Sequence, residues 1–215
     1  MELDLSKSES LSLGDLMDFG KSNPSLKIAQ VGLGWNTNET PGGPNFDLDV
    51  SAFLLGANGK VPGVQYVVFY GTKTKNEEGR PYSGDGSVLG AVDAIGDEDE
   101  DEEGDKEDMI IYFDHVAPEI KEIAITVTIT KYPNDKHKDP RTSDLNFGMV
   151  DNCYIRMWDA EKMEEIFRYD LQSAFSSEDA VIFGRFIKNN DNEWSFKATG
   201  EGHNGSLGQM AKIFG

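Results

Sequence analysis

The chain has 215 residues, 38% hydrophobic and 10% aromatic, which is enough for one full hydrophobic core and too apolar for a disordered acidic tail. Its 39 acidic and 20 basic residues leave a net charge of −19, which argues against direct nucleic-acid binding and against docking on anionic lipid, and favours metal cations or basic proteins as partners. Cys153 is the only cysteine, so an intramolecular disulfide and a thiolate zinc cluster are excluded, and a small buried core thiol is expected.

Residues 1–13 place Leu3, Leu5, Leu11 and Leu13 between polar residues, which predicts a short edge strand. The start, Met1-Glu2-Leu3-Asp4-Leu5, has no basic region followed by an apolar run, and no stretch reaches the roughly 18 apolar residues of a membrane span. A cytoplasmic location is therefore expected. Leu26 to Trp35 reads as a strand with Ala29, Val31, Leu33 and Trp35 on one face. After a Pro/Gly loop, Asp47 to Leu55 reads as a buried strand, Asn58-Gly59 as a hairpin turn, and Val64 to Tyr70 as the returning strand. Residues 71–84 form a long polar loop, and Asp85-Gly86-Ser87-Val88 a turn into a short segment.

Met109 to Phe113 is a strand, followed by a turn at His115 to Pro118. The cleanest alternation is Glu122 to Thr130, with Ile123, Ile125, Val127 and Ile129 on one face and Glu122, Thr126, Thr128 and Thr130 on a face expected to be wet. Strands are also predicted over Met149–Trp158, Glu165–Leu171, Ala180–Ile187 and Glu193–Thr199. Only the C-terminus reads as helical: Ser206 can cap a helix whose Leu207, Met210, Ala211 and Phe214 share one side. Many short strands and one late helix predict an all-β fold, an antiparallel β-sandwich with a short C-terminal helix, as a single domain over 1–215.

Two acidic elements carry the functional reading. Asp47 and Asp49 lie two residues apart on a strand, hence on one face about 6.5–7 Å apart, where like charges repel by about 2 kcal/mol. Either the pair is hydrated at a strand end, or a cation neutralises it with the help of further oxygens. The run Gly96 to Asp108 can supply those oxygens, with ten carboxylates against one lysine, −9 of the total −19. Calcium takes about six to eight oxygen ligands in flexible geometry, and a carboxylate loop without His or Cys disfavours zinc and copper. His115, His137 and His203 show no ligand spacing.

An EF-hand fails: counted from Asp99 the twelfth position is Ile110, and counted from Asp47 it is Asn58, where a glutamate is required. Gly200-Glu201-Gly202-His203-Asn204-Gly205 matches a dinucleotide fingerprint but leaves too little chain for a second parallel strand, so a turn feeding the helix is expected. No serine-nucleophile elbow, zinc-protease or P-loop motif is present.

The chain resembles the TerD-type tellurium-resistance and general stress proteins of bacteria. The resemblance rests on Val31-Gly32-Leu33-Gly34-Trp35, Phe46 to Leu55, Asp85-Gly86-Ser87-Val88, Asn146-Phe147-Gly148, Ile155-Arg156, Arg168-Tyr169-Asp170-Leu171, Phe183-Gly184, Glu193 to Ala198 and Gly200-Glu201-Gly202. It implies a non-enzymatic, calcium-binding sandwich acting in stress or tellurite resistance alongside other stress-response proteins, in a multiprotein complex. Carried over position by position, it implies Asp47, Asp49, Asp93, Asp105, Glu107 and Asp108 as metal ligands. Around Gly90-Ala91-Val92-Asp93-Ala94 the family pattern is replaced, and the acidic loop around 93–108 is longer than its norm. The alternative reading is a module that docks basic partners through that loop.

Overall fold

The computed structural model describes residues 26–36, 46–92, 104–130, 145–190 and 192–215. The predicted strand in 1–13, the charge block Asp97 to Glu103 and the loop 133–144 lie outside them. Two antiparallel five-stranded sheets pack face to face. In the first, β4 (Val88–Leu89), β5 (Glu107–Tyr112), β1 (Ile28–Gly34), β7 (Tyr154–Asp159) and β8 (Glu164–Asp170) follow one another across the sheet. In the second the order is β10 (Trp194–His203), β9 (Ala180–Lys188), β6 (Glu122–Ile129), β2 (Leu48–Leu55) and β3 (Val67–Val68). The antiparallel sandwich with a helix at its C-terminus agrees with the reading of the sequence.

Period-2 alternation builds the core. Ala29, Val31 and Leu33 of β1, Met109 and Ile111 of β5, and Ile155 and Met157 of β7 face Leu48, Val50, Ala52 and Leu54 of β2 and Ile123, Ile125 and Val127 of β6. Cys153 belongs to this core, and burial pushes its thiol well above the ordinary range, which makes it inert.

The outer face of the second sheet departs from the expectation. Thr126 and Thr128 are fully buried, so the predicted wet face of β6 is not wet. The strand is central in its sheet, and both its faces are covered. At one end the cover is helix α2 (Ser206–Phe214), whose Met210 and Phe214 pack on Phe53, Leu55, Ala124, Ala180 and Ile182 in a second apolar cluster. Ser206 does not cap this helix. Its hydroxyl donates to the Ile129 carbonyl, and the Asp179 carboxylate accepts the Gly205 and Ser206 N–H groups at 2.8 and 3.1 Å. A single-turn helix, α1 (Leu171–Ala174), also follows β8, with Asp170 accepting from Ser173 N–H.

Three further predicted segments shift. Only Val67–Val68 of the expected Val64–Tyr70 strand pairs with β2, and Val64–Tyr66 is a 3-10 turn with Val64 91% exposed. The cause is a detour: the Val61 N–H donates to the Phe214 carbonyl, so the chain runs to the helix before it returns to the sheet. The strand predicted from Met149 starts at Tyr154, because Phe147–Met149 is a 3-10 turn and Asn152 adopts a left-handed φ of 50°. The glycine-rich stretch 200–205 is chiefly strand: β10 continues to His203 through an irregularity between Ala198 and Glu201, where Gly200 has φ 57°. No helix among the described residues is long and apolar enough to cross a membrane.

The Asp85-Gly86-Ser87 turn is a staple. Asp85 accepts hydrogen bonds from the Ser83 and Ser87 hydroxyls, the Ser87 N–H and, across the chain, the Ala117 N–H. Burial opposes its ionisation, but these donors outweigh it and hold its carboxyl below the ordinary range. A depressed folded-state value means the stabilisation is complete above about pH 4 and is lost as the pH falls through the folded value. Asp85→Ala is therefore expected to lower unfolding free energy by about 1–3 kcal/mol at pH 7. In urea titrations the gap from the parent should narrow at pH 3; an equal gap at both pH values would refute the carboxylate's role.

Candidate functional site at the start of the Asp-Leu-Asp strand

Leu48, Val50, Ala52 and Leu54 point into the main core, which fixes the rotation of β2 and sends Asp49, Ser51, Phe53 and Leu55 to the opposite face. Asp47 precedes the strand, but its carbonyl accepts the Thr130 N–H at 2.8 Å and so continues the ladder to β6. Asp47 is 8% exposed and Asp49 1%, which rules out the hydrated-strand-end reading of this pair. The Thr130 hydroxyl donates to Asp49 Oδ2.

The same ladder phase sends the Val50 N–H to the other edge of β2. There β3 pairs with Ala52 and Phe53, so among the described residues Val50 has no strand neighbour on that edge. Glu107 fills that gap: its Oε2 accepts the Val50 N–H at 2.9 Å. Glu107 is 3% exposed and shares the inward face of β5 with Met109 and Ile111. Carboxylates from both sheets thus meet the first residues of β2, Asp49 on its outer face and Glu107 at its edge.

Asp105 and Asp108 are placed differently, on the outer face of the first sheet. Asp105 lies flat on Gly32 of β1, where a side chain would collide with it, and accepts from Arg156 Nε at 2.8 and 3.1 Å. Arg156 also reaches Glu165 at 3.2 Å and sits 4.9 Å from the Trp158 ring centroid. Beside it the Tyr154 ring lies over Gly34, and the Arg168 guanidinium stacks 3.6 Å above that ring. Burial first, and then the Asp105 carboxylate, pushes the Tyr154 phenol above its ordinary value, keeping it a neutral donor. Arg80 holds Asp108 by both its carboxylate, at 3.0 Å, and its carbonyl, at 2.8 Å. The two glycines of Val-Gly-Leu-Gly-Trp thus serve close packing, and each of these aspartates has an arginine. Asp93 lies outside the described residues.

Asp47, Asp49 and Glu107 therefore gather around one strand start, while Asp105 and Asp108 do not join them. Ser51, Thr128 and Thr130 line the same face as Asp49 and were not singled out by the sequence; their signal was the threonine alternation of β6, placed opposite the aspartates by strand pairing. The donor set is entirely oxygen. Of the described histidines, His115 stacks on Tyr112 with ring centroids 5.4 Å apart and His203 ends β10, so among the described residues no histidine joins the aspartates. Such a set fits a hard cation such as calcium rather than zinc or copper. Among the described residues, no three His, Cys, Asp or Glu side chains come together closely enough to hold an ion by themselves, so a complete shell needs neutral oxygens or further chain.

The TerD domain family matches residues 7–214. The chain is 37% identical over 206 residues to General stress protein 16U of Bacillus subtilis, covering 96% of each. It is 37% identical over 208 residues to Tellurium resistance protein TerD of Serratia marcescens, covering 97% of each. Its fold resembles the crystal structure of a telluride resistance protein (TerD) homologue from Streptomyces coelicolor, with TM-score 0.64 at 18% identity over 86% of this chain and 95% of that one. A second crystal structure, of a protein of unknown function, gives TM-score 0.68 at 20% identity over 87% of this chain and 96% of that one.

Proposed function

This chain belongs to the TerD family, and from that premise we propose that it is a non-enzymatic calcium-binding protein of the stress and tellurium-resistance response, acting as a scaffold or sensor. The observation that carries the reading is the burial of Asp49 and Glu107, 1% and 3% exposed, against consecutive residues of β2 and drawn from opposite sheets. A divalent cation can be shared by several oxygen groups at once, and carboxylates are its usual charged ligands. Asp49 would hold the ion, and the Asp47 and Glu107 carboxylates at the same strand start would add to the negative field around it. Calcium supplies no redox or acid–base chemistry to this reading; its effect is to fix the start of β2 against β6.

The test is a calorimetric titration of the protein with calcium and, separately, magnesium. A saturable calcium heat is expected, with weaker magnesium binding because magnesium keeps more of its water. Glu107→Gln retains an oxygen acceptor for the Val50 N–H but removes the charge, and is expected to weaken calcium binding about tenfold or more, the loss of at least about 1.4 kcal/mol. Absence of any calcium heat at millimolar concentration would sink the reading.

A further inference from the structure

Two hydroxyls beside Asp49 have no hydrogen-bond partner. Ser51 Oγ and Thr128 Oγ1 are buried with both residues at 0% exposure, and neither atom meets a donor or acceptor. Their neighbours differ: the Thr130 hydroxyl donates to Asp49, and that of Thr126 reaches the Ser51 carbonyl at 3.5 Å. In strand register Thr128 stands directly opposite Asp49, and Ser51 follows Asp49 by two residues, so both orphaned hydroxyls share the outer face of the second sheet with that carboxylate. A hydroxyl buried without a partner is destabilising, and a fold that keeps two of them next to a buried carboxylate has a use for their lone pairs.

We propose that Thr128 Oγ1, with Ser51 Oγ beside it, supplies neutral oxygen ligands to the cation held at Asp49. This rests on the calcium reading above and extends it from carboxylates to hydroxyls. It also accounts for the lack of a third His, Cys, Asp or Glu side chain at ligand distance among the described residues, because calcium shells accept neutral oxygens alongside carboxylates. The ion would then lie on the outer face of β2 and β6, with Glu107 reaching the strand from its edge.

Thr128→Val, which keeps the shape and removes the hydroxyl, is compared with Thr128→Ser, which keeps the hydroxyl. Calcium affinity is read by calorimetry and metal-free stability by thermal melting in chelator. Thr128→Val is expected to weaken calcium binding about tenfold, equivalent to about 1.4 kcal/mol, while its metal-free melting temperature stays level or rises. Thr128→Ser is expected to bind within about threefold of the parent, a difference of less than 1 kcal/mol. Ser51→Ala should weaken binding in the same direction and gives a second, independent variant. Parent-like calcium affinity in both Thr128→Val and Ser51→Ala overturns the inference and leaves the calcium reading standing. A marked loss of metal-free stability in Thr128→Val also overturns it, since the hydroxyl would then be satisfied without metal. A parent protein that binds no calcium overturns both.

Discussion

Phe214→Ala is expected to cost about 3–5 kcal/mol of unfolding free energy, the largest effect of any single truncation considered. Phe214 is 2% exposed and its ring lies 4.9 Å from that of Phe53, with the Arg185 guanidinium 5.4 Å from its centroid. The second apolar cluster depends on it, because among the described residues α2 packs on Phe53, Leu55, Ala124, Ala180 and Ile182, with Val61 and Val67 at the margin. Main-chain ties reinforce the docking: the Phe214 carbonyl accepts the Val61 N–H and the Ile213 carbonyl accepts Lys60 Nζ, each at 2.9 Å. If the helix detaches in the variant, the native state already exposes this cluster, and the urea m-value should fall along with the midpoint. An unchanged midpoint would show that α2 contributes nothing to the sandwich.

What could be read from the sequence follows from how local its cause is. Alternation fixed the rotation of β1, β2 and β6 correctly, because one face of each is apolar over its whole length, and that of β10 as far as Ala198. The parity of β5 also holds a signal: Glu107 is in phase with Met109 and Ile111, which places it inward, while Asp108 is out of phase and faces outward. Within a dense acidic run that parity is masked by charge, so Asp105, Glu107 and Asp108 look equivalent. The arginine partners were not legible either, since Arg156 is 51 residues from Asp105 and Arg80 is 28 from Asp108.

Non-local causes account for the other differences. Ser206 has the residue type of a cap, but Asp179, 26 residues earlier than Gly205, reaches its N–H groups first. Val64 has the residue type of a strand, but the tie between Val61 and Phe214 carries the chain away from β2. The threonines of β6 have the polarity of a solvated face, and only sheet order shows that this strand is central and covered on both sides. That last misreading concealed the most informative part of the site, the buried hydroxyls opposite the aspartates.

Calcium at about 100 times its dissociation constant is expected to stabilise the protein by about 2.7 kcal/mol, which for a chain of this size raises the melting temperature by about 5–10 °C. Asp49→Ala should abolish that increment. The increment, rather than the metal-free melting temperature, is the diagnostic quantity, because the substitution removes a buried carboxylate and also the acceptor of the Thr130 hydroxyl, two changes of opposite sign. Asp108→Ala is the contrasting variant. Its carboxylate faces outward and is held by Arg80, so its loss should leave most of the calcium increment intact while lowering stability equally with and without the ion. If instead Asp108→Ala removed the increment and Asp49→Ala kept it, the ion would belong to the outer face of the first sheet, beside Arg80 and Arg156. Electrostatics disfavours that placement, because both outward aspartates already have a guanidinium within 3.0 Å and a cation would have to displace it.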